Sequence, residues 1–501
     1  MRNAKLIFIL LAGIAVTLPT GAQDQTSKPK YEPLRLSFPK RFPASQHRLL
    51  RLRDTPGKKA KARIRAHAWD LFAGLTRESI MAKELPIWDT WYTKCDLGLA
   101  DCGTKFLEEK LNLHRSLRNF EVPVQSLEEL QSLSLGPGEQ SFAAQSSSDA
   151  FQKRIRAFAI RTRTHPQFAS VLFNREAADA IRKQCLYAHE GNLSAATSSC
   201  PSLPATGKIK EFRRGAVALK TFWQLVIADA NGIGQLETWK QELWNNIQQP
   251  NDNNIDRFRT STVRVDTKST AECENRDYGD DEVVPLKCFY AIQLTQEDVD
   301  ALNASPPRLV AISDTGIIPG NYLVLVAVHV TTKEIPDWVW ATFWWDNHGI
   351  SDPRAAERPK TIKPRWSHFL METTLSGTTP LETDGGPKIC FNPYLETPLR
   401  NGAISNCLQC HSKAAYGPPS RISAYDLGVL GRDGKTLASG KAPDPHYFDN
   451  RVQTDFIWSI ANSLNSNDIQ PLMHLFQQNL HDLQLQELQL RQQENAPPPK
   501  Q

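Results

Sequence analysis

The chain has 501 residues, of which 40% are hydrophobic and 23% charged. This length and composition can bury large hydrophobic cores and predict two or three domains. The formal net charge is only +5, which gives no case for a protein that binds nucleic acid.

The first 22 residues are predicted to be a cleavable secretory signal. Arg2 and Lys5 form a short positive region, residues 6–18 are apolar, and residues 19–22 supply the small side chains of a cleavage site. About 13 apolar residues are too few to cross a bilayer, which needs about 20. We therefore expect cleavage after Ala22, export to the periplasm, and no transmembrane segment in the mature protein.

The rest of the chain is predicted to be an α+β protein. Apolar residues at helical spacing between positions 47 and 113, and again between 151 and 185, indicate helices. Segments rich in β-branched and aromatic residues predict antiparallel strands at 215–226, 262–266, 283–294, 322–332 and 338–345. A further helix is predicted at 455–464. The expected division is a mainly helical region (23–200), a sandwich-like antiparallel β domain (204–350), a loop-rich and helical region (351–476), and a tail rich in glutamine, leucine and proline (477–501).

Two segments of the β domain allow a binding interpretation, and we favour a simpler one for each. The aromatic strand at 338–345 is interpreted as a core strand rather than a platform for a quinone, a sugar or the edge of a bound cofactor, because aromatic side chains supply much of the apolar burial in sandwiches. The acidic run at 277–282 is interpreted as a solvated loop rather than a cation site.

Six of the nine cysteines fall into locally spaced pairs, which suits an oxidising compartment. We expect disulfides between Cys95 and Cys102, Cys185 and Cys200, and Cys273 and Cys288. Six cysteines allow fifteen connectivities, so locality is a preference among them. Cys390 is left over, either as a buried thiol or as a sign that one pair is wrong.

The run Cys407-Leu408-Gln409-Cys410-His411 is the most specific motif in the chain. Two thiols three positions apart can each add to one vinyl group of haem, and the next residue can present an imidazole to the iron. No second C-x-x-C is present to complete a zinc site, and no strand and helix flank the motif as in a redox-active dithiol.

The motif resembles the haem attachment site of c-type cytochromes. The resemblance implies one covalent haem c on Cys407 and Cys410, with His411 as the proximal iron ligand. It implies a periplasmic protein that passes single electrons to or from a redox partner protein.

The second axial ligand of the iron is left open by the sequence. Met371, Met473, His348, His368 and His446 are the candidates, and an open position is the remaining one. An open position would instead favour a haem enzyme or a sensor of gas or peroxide. Whether the protein is an enzyme therefore depends on this ligand.

Overall fold

Of the thirteen strands in the described part of the chain, seven belong to one antiparallel sheet. The structure is a computed structural model, and it describes residues 31–36, 41–55, 57–83, 85–97, 99, 167–186, 206–239, 259–304, 318–375, 390, 392–396, 406–417 and 448–464.

The helices of these residues are mostly short and lie around the sheets. They are α1 (Gln46–Asp54), α2 (Lys58–Leu75), α3 (Arg175–Lys183), α4 (Gln296–Ala304), α5 (Pro364–Ser367), α6 (Pro393–Glu396), α7 (Cys407–His411) and α8 (Trp458–Leu464). Single 3₁₀ turns occur at Ile87–Thr90, Cys95–Leu97, Leu286–Cys288 and Pro353–Ala355. Within the described ranges, no helix has the length and apolar character that a membrane span requires.

The strands are β1 (Tyr92–Thr93), β2 (Gln167–Phe173), β3 (Gly207–Lys208), β4 (Val217–Val226), β5 (Ile233–Trp239), β6 (Arg259–Asp266), β7 (Val283–Pro285), β8 (Ala291–Gln293), β9 (Tyr322–Thr332), β10 (Val339–Trp345), β11 (Phe369–Thr374), β12 (Ala415–Tyr416) and β13 (Val452–Gln453). The large sheet has the order β1-β2-β4-β9-β10-β11, and β8 also pairs with β9. Two small sheets have the orders β12-β13-β3 and β5-β6-β7.

The register of the large sheet determines which side chains share a face. His329 on β9 lies opposite Lys220 on β4 and Thr342 on β10, so these three form one row across the sheet. The next row of the same face includes Trp340 on β10, because side chains two residues apart in a strand point to the same side. Phe343 lies an odd number of residues from Trp340, and its side chain therefore points to the opposite face.

Around Trp340 and Phe343, the two faces of the large sheet pack against different groups of side chains. Helix α2 covers the first face, where Phe72 stacks on Phe343 with ring centres 4.2 Å apart. The apolar spacing that predicted this helix explains its packing, because Ile64, Ala68, Leu71, Phe72 and Leu75 are all buried. The second face carries Trp340 and packs against α3 and against the C-terminal residues around Cys407. The cysteine–histidine motif therefore joins the second core.

Several predictions are confirmed. The protein is α+β with mainly antiparallel strands, and β4, β6, β9 and β10 lie within the predicted strand segments or extend them by a few residues. Every residue of β10 is buried, as expected for a core strand. Helix α8 lies inside the segment predicted as helical, although it begins at Trp458 rather than at position 455.

Other predictions are wrong or incomplete. Residues 167–173 were predicted as part of a helix but form β2, because this segment completes the sheet between β1 and β4. The strand predicted at 283–294 is broken into β7 and β8, since Pro285 begins a 3₁₀ turn that ends at the half-cystine Cys288. Strands β5 and β11 were not predicted.

One predicted disulfide is present in full. Cys273 and Cys288 are bonded, with Cα atoms 4.7 Å apart. Cys95 and Cys185 each take part in a disulfide. The partners predicted for them, Cys102 and Cys200, lie outside the described residues. The signal segment, Met473, His446 and the tail beyond residue 464 lie outside them as well.

A buried acid joins the N-terminal helices to the end of β9. Glu334 is fully buried and meets the His67 ring, with 3.0 Å between Oε2 and Nε2. It also accepts hydrogen bonds from Ala44 N and from the Thr332 hydroxyl. Burial raises the pKa of Glu334, but the hydrogen bond and charge of His67, with the other two donors, outweigh burial and leave the pKa below 4.5.

This pair predicts an acid-sensitive contribution to stability. Because the folded-state pKa is depressed, the contribution is complete above about pH 4.5 and decreases as the pH falls through the folded value. We expect Glu334→Gln to reduce the free energy of unfolding by about 3–5 kcal/mol at neutral pH, with a smaller further loss on acidification than the wild type shows. Urea denaturation at several pH values measures both effects. The exposed Glu297→Gln is the control, and equal stability of the two variants would refute the assignment.

Candidate functional site

The cysteine–histidine motif forms a single helical turn that is fixed at its start. The Asn406 side chain accepts a hydrogen bond from Leu408 N at 3.0 Å, which caps the helix. The backbone of Asn406 forms a β-bridge with Cys390, and its amide donates to the Thr374 hydroxyl on β11. The helix is therefore attached to the edge strand of the large sheet.

One helical turn brings the three motif side chains to one side. Cys407, Cys410 and His411 stand at positions i, i+3 and i+4, which share a helix face. Cys407 is buried, while Cys410 and His411 are half-buried. The structure thus brings together the three residues that the sequence selected, with two thiols beside one imidazole.

Cys390 lies directly against this group. It is fully buried, and its sulfur is 3.2 Å from the Cys407 sulfur. Both residues remain thiols, as does Cys410. Cys390 is therefore the buried thiol that the sequence allowed, and its neighbour is one of the two motif cysteines.

The imidazole of His411 has a defined tautomer. Its Nδ1 lies 2.8 Å from the Phe456 carbonyl oxygen, which can only accept, so Nδ1 carries the proton and donates it. Nε2 is then the unprotonated nitrogen, and it has no hydrogen-bond partner among the residues that the structure describes. Histidines that bind metals show the same arrangement, in which one ring nitrogen donates to a backbone carbonyl and the other binds the metal.

Burial keeps the His411 ring neutral. Desolvation lowers its pKa to about 4, and the positive charge of Lys220 acts in the same direction against the hydrogen bond to Phe456. At neutral pH the ring is uncharged, which is the form that binds metals.

An unusual turn points the Phe456 carbonyl at His411. Asp455 and Phe456 both have left-handed backbone angles, with φ of 46° and 72°, a conformation that costs about 1–3 kcal/mol for such residues. The Asp455 carboxylate holds the turn by accepting from Lys333 Nζ at 2.7 Å, from Phe212 N at 2.8 Å and from Trp338 Nε1 at 3.3 Å. Three hydrogen bonds to the Asp455 carboxylate thus hold the turn that carries the Phe456 carbonyl.

A second histidine faces the first. His329 lies on β9 in the middle of the large sheet, and its ring is 5.4 Å from the His411 ring with planes only 19° apart. Trp340 packs against both histidines, and its ring centre is 4.3 Å from that of His411 and 5.9 Å from that of His329. Both ring nitrogens of His329 are buried and lack a hydrogen-bond partner among the described residues. Burial, followed by the charges of His411 and Lys220, lowers the pKa of His329 well below 6.5.

Met371, a candidate iron ligand, does not join this group. It lies opposite Phe343 in the sheet register and packs in the core on the α2 side. The sheet itself separates Met371 from His411, because His329 and Trp340 point to the other face.

His348 and His368 lie near the far end of β10, and the Nε2 atom of each has a hydrogen-bond partner. His348 Nε2 is 3.0 Å from an Asp280 carboxylate oxygen, and His368 Nε2 donates to the Glu274 carbonyl oxygen at 3.1 Å. The His368 ring packs on Trp345, five residues from Trp340, or about 16 Å along the strand. These two candidates are not brought to His411. Met473 and His446 fall outside the described residues.

A cluster beside His368 contains residue types that bind metals, but its two cysteines are not available as thiolates. Cys273, Cys288 and His368 hold their ligand atoms within 4.8 Å of one another. The two cysteines are joined in a disulfide, so neither offers the thiolate that a metal needs.

His329 was missed by the sequence analysis, although a signal exists. Apart from Tyr322 at its start, it is the one titratable residue in the strand YLVLVAVHVTT. The residues around His329 are apolar on both sides of the strand, and a buried polar group requires a partner. A histidine in such a strand indicates either a buried hydrogen bond or a ligand role.

Comparison with known protein families, with curated proteins and with solved structures finds no match to this chain.

The Asp455 turn gives a prediction about stability. Burial raises the pKa of Asp455 while Lys333 opposes the shift, and both side chains are almost fully buried. We expect Asp455→Asn to leave the Lys333 charge without its partner and to lower the free energy of unfolding by about 3 kcal/mol. Urea denaturation followed by tryptophan fluorescence measures this loss.

Asp54→Asn is the matched control, because Asp54 pairs with Arg53 in an exposed ion pair. Exposed pairs contribute little, so this variant should denature like the wild type. Equal denaturation of the Asp455 and Asp54 variants would show that Asp455 does not hold the turn.

Proposed function

We propose that the protein is a periplasmic c-type cytochrome that carries one covalently attached haem and transfers single electrons to or from a redox partner protein. Cys407 and Cys410 hold the haem, and His411 is the proximal iron ligand. The observation that carries the proposal is the one-turn helix that presents two thiols and one imidazole on a single face. The unprotonated Nε2 of that imidazole has no partner among the described residues, while its Nδ1 is fixed by the Phe456 carbonyl.

The residues present fit the chemistry of haem attachment. Each thiol adds across one vinyl group, so that a carbon–sulfur bond forms and the hydrogen goes to the neighbouring carbon, with no oxidant or reductant required. When bound, haem supplies an iron that cycles between the ferric and ferrous states.

The surroundings of His411 suit an electron carrier. Its ring is held on one side by the Phe456 carbonyl, through a turn that Lys333 and Asp455 anchor. Trp340 and the large sheet cover it on another side. A fixed, neutral and largely dry imidazole gives the iron a constant environment, and burial of this kind tunes the reduction potential.

Two features support the compartment. The N-terminal sequence predicts a secretory signal, and the Cys273–Cys288 disulfide is typical of proteins in an oxidising compartment. Covalent haem attachment by this motif requires export, so the two features agree with the site. Within the α+β fold, we assign haem binding to the region 351–476, against a sandwich-like β domain.

Covalent haem on a denaturing gel tests the proposal. We expect the exported wild-type protein to keep a haem stain after denaturation, and Cys407→Ala with Cys410→Ala to lose it completely. Cys390→Ser is the matched control, because it removes a buried thiol beside the motif but none of its residues, and its stain should persist. A wild-type protein without covalent haem after export with a working attachment system would overturn the proposal.

A further inference from the structure

The structure places an unpaired histidine opposite the proposed iron ligand. His329 is 6% exposed, and both of its ring nitrogens are buried without a partner in the described part of the chain. Leaving a buried donor or acceptor unpaired destabilises the folded protein. Most buried polar groups in folded proteins find a partner, so these two nitrogens are available to a group that the described residues do not supply.

We propose that His329 is the second axial ligand of the haem iron, opposite His411. This assignment rests on the proposed function, since it concerns the same haem. It adds the ligand that the sequence left open, and it places that ligand on a residue that none of the sequence candidates included.

The relation of the two rings supports a shared metal ion. Their planes are within 19° of each other and their centres are 5.4 Å apart, yet no hydrogen bond joins them. Imidazole nitrogens bind metal ions of this size at about 2.0–2.1 Å, so two imidazoles on one ion have ring centres roughly 6 Å apart. The observed separation of 5.4 Å is slightly shorter than this distance. Binding would give each ring a bond at a nitrogen that has no hydrogen-bond partner within the described part of the chain.

The position of His329 in the sheet makes it a firm ligand. Strand β9 is paired on both sides at this residue, with Lys220 of β4 and Thr342 of β10 opposite it. A side chain on a central strand is held more precisely than one on a loop. His348, by contrast, lies just after a strand and contacts Asp280.

This assignment decides between the two functional classes that the sequence left open. Two firm histidine ligands give a six-coordinate, low-spin iron without an open position for oxygen, peroxide or nitric oxide. The potential should lie below that of a haem with one methionine ligand. The protein is then an electron carrier rather than a haem enzyme or gas sensor.

The experiment replaces His329 in the full-length, exported protein. We expect His329→Ala to keep its covalent haem, because the attachment residues are untouched. Its visible spectrum should change from low-spin to high-spin, and the reduced form should bind carbon monoxide, which the wild type does not. Added imidazole should restore the low-spin spectrum by entering the space that the side chain leaves. His329→Met should either raise the reduction potential or give the same high-spin spectrum.

Two controls separate a ligand role from a general disturbance. Met371→Leu is nearly isosteric and His348→Ala changes a surface loop, and both should retain the wild-type spectrum and potential. Covalent haem is measured in every variant by the denaturing-gel stain, so loss of attachment is not mistaken for loss of a ligand.

The outcomes distinguish the two proposals. Covalent haem in His329→Ala, together with a low-spin spectrum that ignores carbon monoxide, would overturn the assignment of His329 and leave the cytochrome proposal standing. Conversion of Met371→Leu to high-spin would overturn it as well and identify the methionine as the ligand. Absence of covalent haem from the wild type would instead remove the proposed function itself.

Discussion

The hydrogen bond between His411 and the Phe456 carbonyl is the interaction on which the site depends. It fixes the proton on Nδ1 and leaves Nε2 unprotonated, the form in which an imidazole nitrogen is able to bind a metal. The carbonyl is in place only because Asp455 and Phe456 adopt a left-handed turn, which Lys333 anchors in the second core. One buried ion pair, two strained residues and one helical turn therefore act together on a single imidazole ring, and this is the kind of support that keeps a metal ligand in one orientation.

The large sheet separates two cores with different roles. On the α2 side, Phe72, Phe343 and Met371 pack into an apolar layer that supplies stability. On the other side, Trp340 and His329 face the C-terminal motif. At Trp340 and Phe343 this follows from the alternation of side chains along β10, since these two residues point to opposite faces. Met371, on the α2 face, therefore lies on the other side of the sheet from His411.

The sequence predicted the local arrangement of the motif better than the pairing of the strands. The motif Cys407 to His411 is local, and its spacing alone predicts that three side chains share one face of a helical turn. The face of Met371 and the approach of His329 depend instead on pairing between strands far apart in the chain, which periodicity does not reveal. Residues 167–173 were assigned to a helix for the same reason, because the neighbours that make them a strand are β1 and β4. A lone polar residue in a buried strand, such as His329, is the sequence signal that indicates a buried hydrogen bond or a ligand role.

The most direct test of the account is the visible spectrum of the oxidised and reduced wild-type protein, recorded with and without carbon monoxide. Two histidine ligands predict a low-spin spectrum in both states, no methionine-to-iron band in the far red, and no change when carbon monoxide is added to the reduced protein. A high-spin spectrum that shifts at once with carbon monoxide would contradict the account, because it would show an open position where His329 is placed.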